Sequence, residues 1–203
     1  MNKTKIIKKA SFRVAITLTS SLHVDKKYLE LTRQVATALA VNNIGIVYGG
    51  TAYGMMLELA KSYKDGRGTD LVGVMAKDLM KVTKGYVAFS GLDEQYLMPT
   101  MEERKSTIIE KADAFLILPG GYGTVEEIGT ILGGRVNKLF DKPIAFFNLD
   151  GFYDDLFSFF HCLKKQKFSK IDFRDACIVS ESMDEILSYY RDYKKSELVD
   201  KFI

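Results

Sequence analysis

The sequence contains few of the residues that stabilise small extracellular or metal-dependent proteins. Its 203 residues include two cysteines, Cys162 and Cys177, and two histidines, His23 and His161. Two cysteines without C-x-x-C spacing form no disulfide framework, and the two cysteines and two histidines together do not have the spacing of a zinc site. A chain of this length buries roughly 70% of the surface that its unfolded form exposes, so its core requires neither disulfides nor a metal.

Long hydrophobic runs and a strong charge of one sign are also absent. No apolar run approaches the roughly 18 residues that a membrane span requires. The 29 basic and 26 acidic side chains give a formal net charge of +3. The lysine clusters at residues 3–9 and 164–170 lack the interleaved aromatic side chains of nucleic-acid-binding segments, and the start, MNKTKIIKKASF, lacks the apolar region of a signal peptide. We therefore expect a cytoplasmic protein that binds neither membrane nor nucleic acid, with residues 1–10 forming a flexible basic arm.

Short apolar runs alternate with amphipathic stretches along the chain. These runs predict strands at residues 12–18, 44–48, 71–75, 96–98, 114–118, 144–147 and 176–179. The amphipathic stretches predict helices at residues 25–41, with Asp25 as the N-cap, and at residues 54–64, 100–111 and 124–140. One more helix is predicted before the last strand and another from residue 183. This alternation, without hairpin signals, predicts an α/β fold with a Rossmann-like, doubly wound parallel sheet and helices on both faces. No linker or repeat interrupts it, so we expect a single domain over residues 1–203, with its ligand beyond the carboxyl ends of the strands.

The segment LPGGYGTVEE, residues 118–127, is the strongest candidate for a binding site. It follows a predicted buried strand and leads into a helix predicted to open at Thr124. Its three glycines, Gly120, Gly121 and Gly123, allow close approach of the backbone to a ligand, and the helix N-terminus favours an anion. The spacing matches neither the dinucleotide fingerprint nor a P-loop. An ordinary capped helix is the alternative, because Thr124 and Glu127 fit a capping box, and the spacing leaves both interpretations open.

The segment YGGTAYGMM, residues 48–56, also follows a strand and leads into a helix. A second backbone cradle for a ligand is therefore plausible at this junction. The alternative is close packing of the helix on the strand through Gly50 and Gly54.

The predicted helix MEERKSTIIEKA carries an arginine on its apolar face. The predicted buried stripe consists of Met101, Ile108, Ile109 and Ala112, and Arg104 falls on it. No acidic residue stands three or four positions from Arg104, so its guanidinium requires an anion from elsewhere. The alternative is a surface side chain whose charge reaches solvent. Lys105, by contrast, can pair with Glu102.

The segments MEERK (101–105), ADAFLILPGGYGTVEE (112–127), DKP (141–143) and NLDGFYDDL (148–156) together resemble the LONELY GUY (LOG) family. Its members are cytokinin riboside 5′-monophosphate phosphoribohydrolases, often labelled lysine decarboxylases. The resemblance implies an enzyme that hydrolyses the N-glycosidic bond of AMP or of an N6-substituted, cytokinin-type nucleotide, which releases the base and ribose 5-phosphate. It also implies a homodimer or a larger homo-oligomer that uses no cofactor and no metal.

The resemblance also assigns candidate site residues. It makes Arg104 and Glu127 catalytic, with Glu127 stabilising the positive charge on the ribose and activating water. The predicted substrate- and phosphate-binding residues are Gly49, Gly50, Thr51, Gly54, Met98, Lys105, Gly120, Gly121, Tyr122, Gly123 and Thr124.

Four features depart from the family pattern, and one of them is Lys167 in place of the glycine of the later G-F-I motif. The chain has LTSS at 18–21 where the family has C-G-S-S, GGTAYGMML at 49–57 where it has G-G-G-x-x-G-L-M-G, and GGRVNK at 133–138 where many members have T-W-x-Q-L-G. The reaction class therefore transfers better than the identity of the substrate. The alternative function is that of a non-catalytic nucleotide-binding protein or a carrier resembling molybdenum cofactor carriers.

Overall fold

A computed structural model describes residues 10–83, 86–195 and 198. Strands and helices alternate in it, which confirms the predicted α/β fold class. The strands are β1 (Arg13–Thr17), β2 (Gly45–Tyr48), β3 (Leu71–Ala76), β4 (Glu94–Met98), β5 (Ala114–Ile117), β6 (Ile144–Phe147) and β7 (Ile178–Ser180). The helices are α1 (Lys26–Val41), α2 (Gly54–Asp65), α3 (Lys77–Val82), α4 (Met101–Lys111), α5 (Tyr122–Val136), α6 (Asp154–Lys165), α7 (Phe173–Ala176) and α8 (Met183–Asp192). Apart from Ala10, the predicted basic arm lies outside the described residues.

Contacts within the described chain divide it into two compact units. The first contains the chain up to Ala15 together with Ser20–Ala112, and the second contains Ile16–Thr19 and the chain from Asp113 onward. Strand β1 has residues in both units, and the strand order is β4-β3-β2-β1 in the first unit and β5-β6-β7 in the second. The single domain expected over residues 1–203 stays a prediction.

In the first unit, the strands from β1 to β4 pair in parallel and in chain order. Their central residues, such as Ile46, Val47 and Val72, are fully buried, because β-branched side chains pack well on a pleated sheet. Helix α1 follows Asp25, whose carboxylate accepts a hydrogen bond from the Lys27 N–H at 3.0 Å. The predicted N-cap of α1 is thereby confirmed.

In the second unit, β5, β6 and β7 pair in parallel. The Leu118 N–H donates to the Thr17 carbonyl at 3.0 Å, just beyond the end of β5. Two buried hydroxyls also bond to this strand region, since Tyr153 donates to the Leu118 carbonyl at 2.7 Å and Tyr190 to the Phe115 carbonyl at 2.8 Å. The turn that follows β5 therefore begins from a firmly held strand.

The structure differs from the sequence prediction at α5, which spans Tyr122–Val136 and not residues 124–140, and at two elements that follow other patterns. The last strand was predicted at residues 176–179, but Phe173–Ala176 form helix α7 and β7 begins at Ile178. The Asp172 side chain caps α7 by accepting from the Arg174 N–H at 3.0 Å, which starts a helix where strand propensity predicted none. Helix α3 was not predicted, because it buries no side chain and so has no apolar period.

The helices are of ordinary globular length, and α1 has 16 residues. None of those in the described ranges combines the length and the apolar character needed to cross a bilayer.

Candidate functional site

The glycine-rich turn after β5 leads directly into α5. Gly121 is the N-cap of this helix, with backbone angles φ −94° and ψ −156°, and Tyr122 is its first residue. The helix therefore begins before the predicted start at Thr124. Thr124 is the third residue of α5 and not its N-cap, so the capping box suggested by Thr124 and Glu127 does not form. The alternative of an ordinary side-chain-capped helix is wrong for this turn.

The three glycines of this turn have different surroundings. A Cβ on Gly120 would lie 2.0 Å from Oγ1 and 2.6 Å from Cβ of Thr124, so only glycine fits there. A Cβ on Gly121 or Gly123 would meet nothing within 4 Å in the described chain. Gly120 therefore serves packing, whereas Gly121 and Gly123 leave open space beside the start of α5.

The Thr124 hydroxyl lies buried at this open helix start. Thr124 is 3% exposed, and its Oγ1 has no hydrogen-bond partner among the described residues. Such a hydroxyl requires an explanation, because the large majority of buried polar atoms are paired with protein or water. The first N–H groups of a helix also lack intrahelical acceptors and form the positive end of its dipole. The start of α5 is therefore complementary to an anion.

Helices α2 and α5 differ from the other α-helices of the described chain. Each has neither a side-chain cap nor an acidic residue in its first turn. A side-chain cap is present at α1, α4, α7 and α8, and an aspartate stands in the first turn of α3 and of α6. The two bare helix starts are those that follow the two glycine-rich segments. The starts of α2 and α5 are therefore without a side-chain cap that would compete with an anionic ligand.

Glu127 lies on α5 one turn beyond the open glycines. It follows Gly123 by four residues and Thr124 by three, so the three residues share one face of the helix. The Glu127 side chain is half-buried, while Tyr122 is 97% exposed. Helix α5 therefore carries three of the predicted phosphate-binding residues, Tyr122, Gly123 and Thr124, together with the predicted catalytic carboxylate.

The glycine-rich segment after β2 is closely packed. Gly50 and Gly54 have φ of +75° and +53°, a conformation that favours glycine. A Cβ on Gly54 would lie 2.2 Å from the Ser21 carbonyl oxygen, and one on Gly50 would lie 3.1 Å from Cα of Gly73. Both glycines are therefore closely packed, but Gly54 packs on the loop after β1 and Gly50 on β3, which differs from the helix-on-strand packing considered, and their contact with a ligand stays a prediction. Thr51 is buried, and its Oγ1 lacks a hydrogen-bond partner in the described chain.

Arg104 is a buried residue of α4. It is 5% exposed, and its Nε donates to the Val74 carbonyl at 2.9 Å. Its terminal Nη2 lies 2.7 Å from the position that a Cβ on Gly49 would have. The alternative, a surface side chain whose charge reaches solvent, is therefore wrong. The Arg104 guanidinium is buried beside Gly49, in the glycine-rich segment after β2.

The remainder of α4 is oriented differently from the prediction. Its buried residues are Arg104, Lys105 and Thr107, while Met101, Ile108 and Ile109 are half-buried and only Ala112 of the predicted stripe is buried. The side of α4 that carries Arg104 and Lys105 faces the sheet, so the apolar spacing predicted the wrong buried stripe for this helix. Lys105 pairs with Glu102 at 2.6 Å, as predicted. Met98 is half-buried at the end of β4.

Tyr86 lies next to Gly49, although the sequence patterns did not indicate it as a site residue. Its hydroxyl donates to the Gly49 carbonyl at 3.3 Å. Burial raises the pKa of the Tyr86 phenol, and the positive charge of Arg104 offsets part of that rise. No periodic pattern covers residues 78–93, so only the tyrosine itself, close to a glycine, could have indicated this position.

The altered segment at residues 133–138 contains a buried arginine with defined partners. The Arg135 guanidinium pairs with Asp141 at 2.8 Å and donates to the Tyr193 hydroxyl at 2.9 Å. Arg135 and Tyr193 also line a cavity of about 510 Å³ in the second unit, which contains none of the predicted site residues. Charges of both signs surround this cavity, so it selects no ligand by charge.

Comparisons with known proteins identify the family and the fold of this chain. The profile of the family described as "Possible lysine decarboxylase" matches residues 56–190. The rice (Oryza sativa subsp. japonica) "Probable cytokinin riboside 5′-monophosphate phosphoribohydrolase LOGL1" is 32% identical over 163 residues, which are 80% of this chain and 71% of that protein. The Arabidopsis thaliana cytokinin riboside 5′-monophosphate phosphoribohydrolase LOG2 is 29% identical over 94% of this chain and 89% of that protein.

Solved structures show the same fold. The molybdenum cofactor carrier protein of Chlamydomonas reinhardtii superposes with a TM-score of 0.65 at 15% identity, covering 89% of this chain and 96% of that one. At this identity the match establishes the fold alone. The profile covers well over half of the chain and the rice relative is more than 30% identical over most of its length, so the chain belongs to the LONELY GUY (LOG) family.

Proposed function

We propose that this protein hydrolyses the N-glycosidic bond of a nucleoside 5′-monophosphate to release the free base and ribose 5-phosphate. The named relatives support this reaction class. The observation that carries the proposal is the bare start of α5, where Gly121 and Gly123 border open space and the buried Thr124 hydroxyl lacks a partner in the described chain. Such a start suits the 5′-phosphate of the substrate.

The phosphate group orients the sugar without taking part in the chemistry. The N–H groups at the start of α5 and the Thr124 hydroxyl would donate to its oxygens, and the helix dipole favours its charge. Binding energy from this remote group fixes the position of the ribose, which lowers the entropic cost of reaching the transition state.

Glu127 would act on the reacting carbon. Cleavage of the bond from C1′ to the base nitrogen transfers its electron pair to the base and leaves positive charge on the ribose ring. A carboxylate beside C1′ stabilises this charge and accepts a proton from the attacking water, whose oxygen then bonds to C1′. The leaving base takes up a proton, so the reaction needs neither a metal nor a redox cofactor.

Arg104 is the second proposed catalytic residue, and its buried charge fits two roles. It could hold the ribose phosphate or orient the catalytic carboxylate. Arg104→Ala separates these roles, because the first predicts weaker binding of ribose 5-phosphate and the second predicts a lower kcat with unchanged binding.

The proposed reaction is tested by measuring free base released from AMP and from N6-substituted analogues. We expect Glu127→Gln to lower turnover by about 100-fold or more, since it removes the carboxylate charge. Glu126→Gln is the matched control, because Glu126 is the neighbouring, exposed glutamate of the same helix. Wild-type turnover in Glu127→Gln would refute the assigned role. No free adenine from the wild-type protein, together with a tightly bound phosphorylated ligand, would indicate a carrier instead.

We also propose that the protein is a cytoplasmic homodimer. One side of α5 carries Val125, Gly129, Leu132 and Gly133, of which Val125 is exposed and the two glycines border open space. A helix with glycines four residues apart permits close approach of a second helix. We expect Gly129→Arg to convert the dimer to a monomer in light scattering, while Thr37→Arg, at an exposed position of α1, leaves it intact. A wild-type monomer would refute this proposal.

A further inference from the structure

A second buried hydroxyl of the second unit lies at the carboxyl end of β1. Thr17 is the last residue of this strand and is 5% exposed. Its Oγ1 has no hydrogen-bond partner among the described residues. Because the large majority of buried hydroxyls are paired, this one requires an explanation, as the Thr124 hydroxyl does. The carboxyl ends of parallel strands are also where α/β folds bind their ligands.

The pairing of β1 with β5 determines the side to which Thr17 projects. The Leu118 N–H donates to the Thr17 carbonyl at 3.0 Å, which places Thr17 beside Ile117 in a parallel ladder. Ile117 in turn pairs with Phe146 of β6. Paired residues of neighbouring strands project from the same face of a sheet, so Thr17, Ile117 and Phe146 share one face.

Helix α5 packs on this same face. Phe115 precedes Ile117 by two residues and therefore projects to the same side, and its ring lies 5.4 Å from the ring of Phe140. Phe140 also lies against α5, since its Cε1 is 2.5 Å from the position that a Cβ on Gly134 would have. The last turn of α5 is therefore near the start of β5, and its first turn is at the carboxyl end of the strand.

Thr124 belongs to the side of α5 that is buried against the sheet. The buried residues Thr124, Ile128 and Ile131 follow one another at helical spacing. Thr124 is the first of them, so it lies at the carboxyl end of the strands. The hydroxyl-bearing residues Thr17 and Thr124 are therefore on the same face of the sheet and at the same end of its strands.

We propose that Thr17 is a further substrate-binding residue, whose hydroxyl forms a hydrogen bond with an oxygen atom of the ribose phosphate. This assignment rests on the proposed function, in which the start of α5 holds the phosphate. A threonine hydroxyl donates to a phosphate oxygen, and it both donates to and accepts from a ribose hydroxyl. Thr17 thus extends the binding of the ligand from α5 to β1.

The two states of the protein respond differently to the loss of this hydroxyl. In the free protein, Thr17→Val removes no hydrogen bond, so we expect the midpoint of urea denaturation to stay unchanged or to rise. In the complex, the same substitution leaves a ligand oxygen without its partner, so affinity should fall. A hydroxyl that served the fold alone would show the reverse, with lower stability and unchanged affinity.

Calorimetric titration with ribose 5-phosphate and with inorganic phosphate tests the proposal. We expect Thr17→Val to lower the affinity for ribose 5-phosphate by about tenfold, and Thr17→Ser, which keeps the hydroxyl, to stay within about threefold of the wild-type value. An equal loss for inorganic phosphate assigns the hydrogen bond to the phosphate group. Unchanged affinity for inorganic phosphate assigns it to a ribose hydroxyl.

Thr69→Val is the matched control. The Thr69 Oγ1 is also buried without a partner among the described residues, but Thr69 precedes β3 and so lies at the amino end of that strand. We expect this variant to bind ribose 5-phosphate as the wild-type protein does.

Wild-type affinity for ribose 5-phosphate in Thr17→Val would overturn the inference, as would an equal loss in Thr69→Val or a wild-type protein that does not bind this ligand. A wild-type protein that binds ribose 5-phosphate but releases no base from AMP would refute the proposed reaction. The calorimetric comparison would still decide the role of Thr17 in that case.

Discussion

At the scale of single residues, we predict opposite effects on stability and on ligand binding for substitutions of two buried threonines, Thr124 and Thr32. Thr124 has a hydroxyl without a partner in the described chain, whereas the Thr32 hydroxyl donates to the Tyr28 carbonyl at 2.7 Å. We expect Thr124→Val to leave the free energy of unfolding unchanged or to raise it by up to ~1 kcal/mol, because no hydrogen bond is lost. Its affinity for ribose 5-phosphate should fall by about tenfold or more, which calorimetry measures.

Thr32→Val is the matched control for this prediction. It should cost up to about 1 kcal/mol of unfolding free energy, because it removes the hydroxyl hydrogen bond and leaves the Tyr28 carbonyl with its helical N–H donor alone, and it should not change ligand affinity. A Thr124→Val protein that loses stability and keeps its affinity would show that the Thr124 hydroxyl serves packing.

The sequence indicated which residues belong to the candidate site better than it indicated what surrounds each of them in the fold. Arg104 and Thr124 were identified because a charge on an apolar face and a threonine after glycines are local patterns. The separate surroundings of Gly120 and Gly121 were not predictable, since they depend on where α5 begins. Tyr86 was missed because its hydrogen bond to Gly49 joins two positions that are distant along the chain.

At the scale of elements, α5 combines weak helix formers with open surroundings. A Cβ on Gly123 or Gly129 would contact nothing within 4 Å in the described chain. We expect Gly123→Ala to raise the unfolding free energy by up to ~1 kcal/mol, because alanine favours the helix. The added methyl group projects beside the proposed phosphate, so AMP affinity should fall. Gly129→Ala, measured by the same calorimetric titration, should keep the wild-type affinity, and equal affinities of the two variants would contradict the proposed site.

A second element-scale prediction concerns the amino ends of the strands in the first unit. Arg13 on β1 makes two hydrogen bonds of 2.8 Å to the fully buried Asp70, before β3, and one of 3.0 Å to Glu94 on β4. We expect Asp70→Ala to lower the unfolding free energy by about 2–3 kcal/mol in urea denaturation, because it removes the main partner of the half-buried Arg13 guanidinium.

An exposed ion pair of the same unit is the control. Arg33 pairs with Glu30 on the surface of α1, so Glu30→Ala should cost less than about 1 kcal/mol. Similar losses in Asp70→Ala and Glu30→Ala would show that the Arg13 pair contributes no more than a surface contact.

Element boundaries followed the local signals closely where those signals were strong. Asp25 before α1 and the apolar run of β6 predicted their elements, because a cap and a buried strand are both visible in a few residues. Helices α3 and α7 were not visible in the same way. Their starts depend on single side chains and their packing leaves little apolar period, so strand propensity misplaced β7.

At the scale of the whole molecule, buried tyrosines predict the response to alkaline pH. Burial raises the pKa of Tyr63 to about 12 and that of Tyr189 to about 12, from an ordinary value of 10.0. Below pH 10 both the folded and the unfolded states keep these protons, and above it the unfolded state releases them first. The free energy of unfolding should therefore fall between about pH 10 and pH 12, by about 1.4 kcal/mol per pH unit for each such tyrosine.

Tyrosinate absorbance during urea denaturation at several alkaline pH values measures this effect, and the chain has no tryptophan to obscure it. Tyr63→Phe should reduce the slope by the contribution of one group. A stability that does not change up to pH 12 would contradict the burial of these hydroxyls.

The fold class was predictable because it depends on the order of many elements, each indicated by its own residues. Alternating strands and helices leave few topologies other than a parallel sheet, so errors of a few residues at one boundary did not change the result. The site was predictable only as two separate segments of sequence, since side-chain partners and open spaces come from the folded backbone.

The central claim is that the start of α5 holds the phosphate of a nucleotide. The most direct measurement is a crystal structure of Glu127→Gln with AMP, in which slow turnover preserves the substrate. We predict phosphate oxygens within hydrogen-bond distance of the N–H groups of residues 121–124 and of the Thr124 Oγ1, with C1′ next to the residue at position 127. A nucleotide bound elsewhere, with the start of α5 occupied by water alone, would contradict the account.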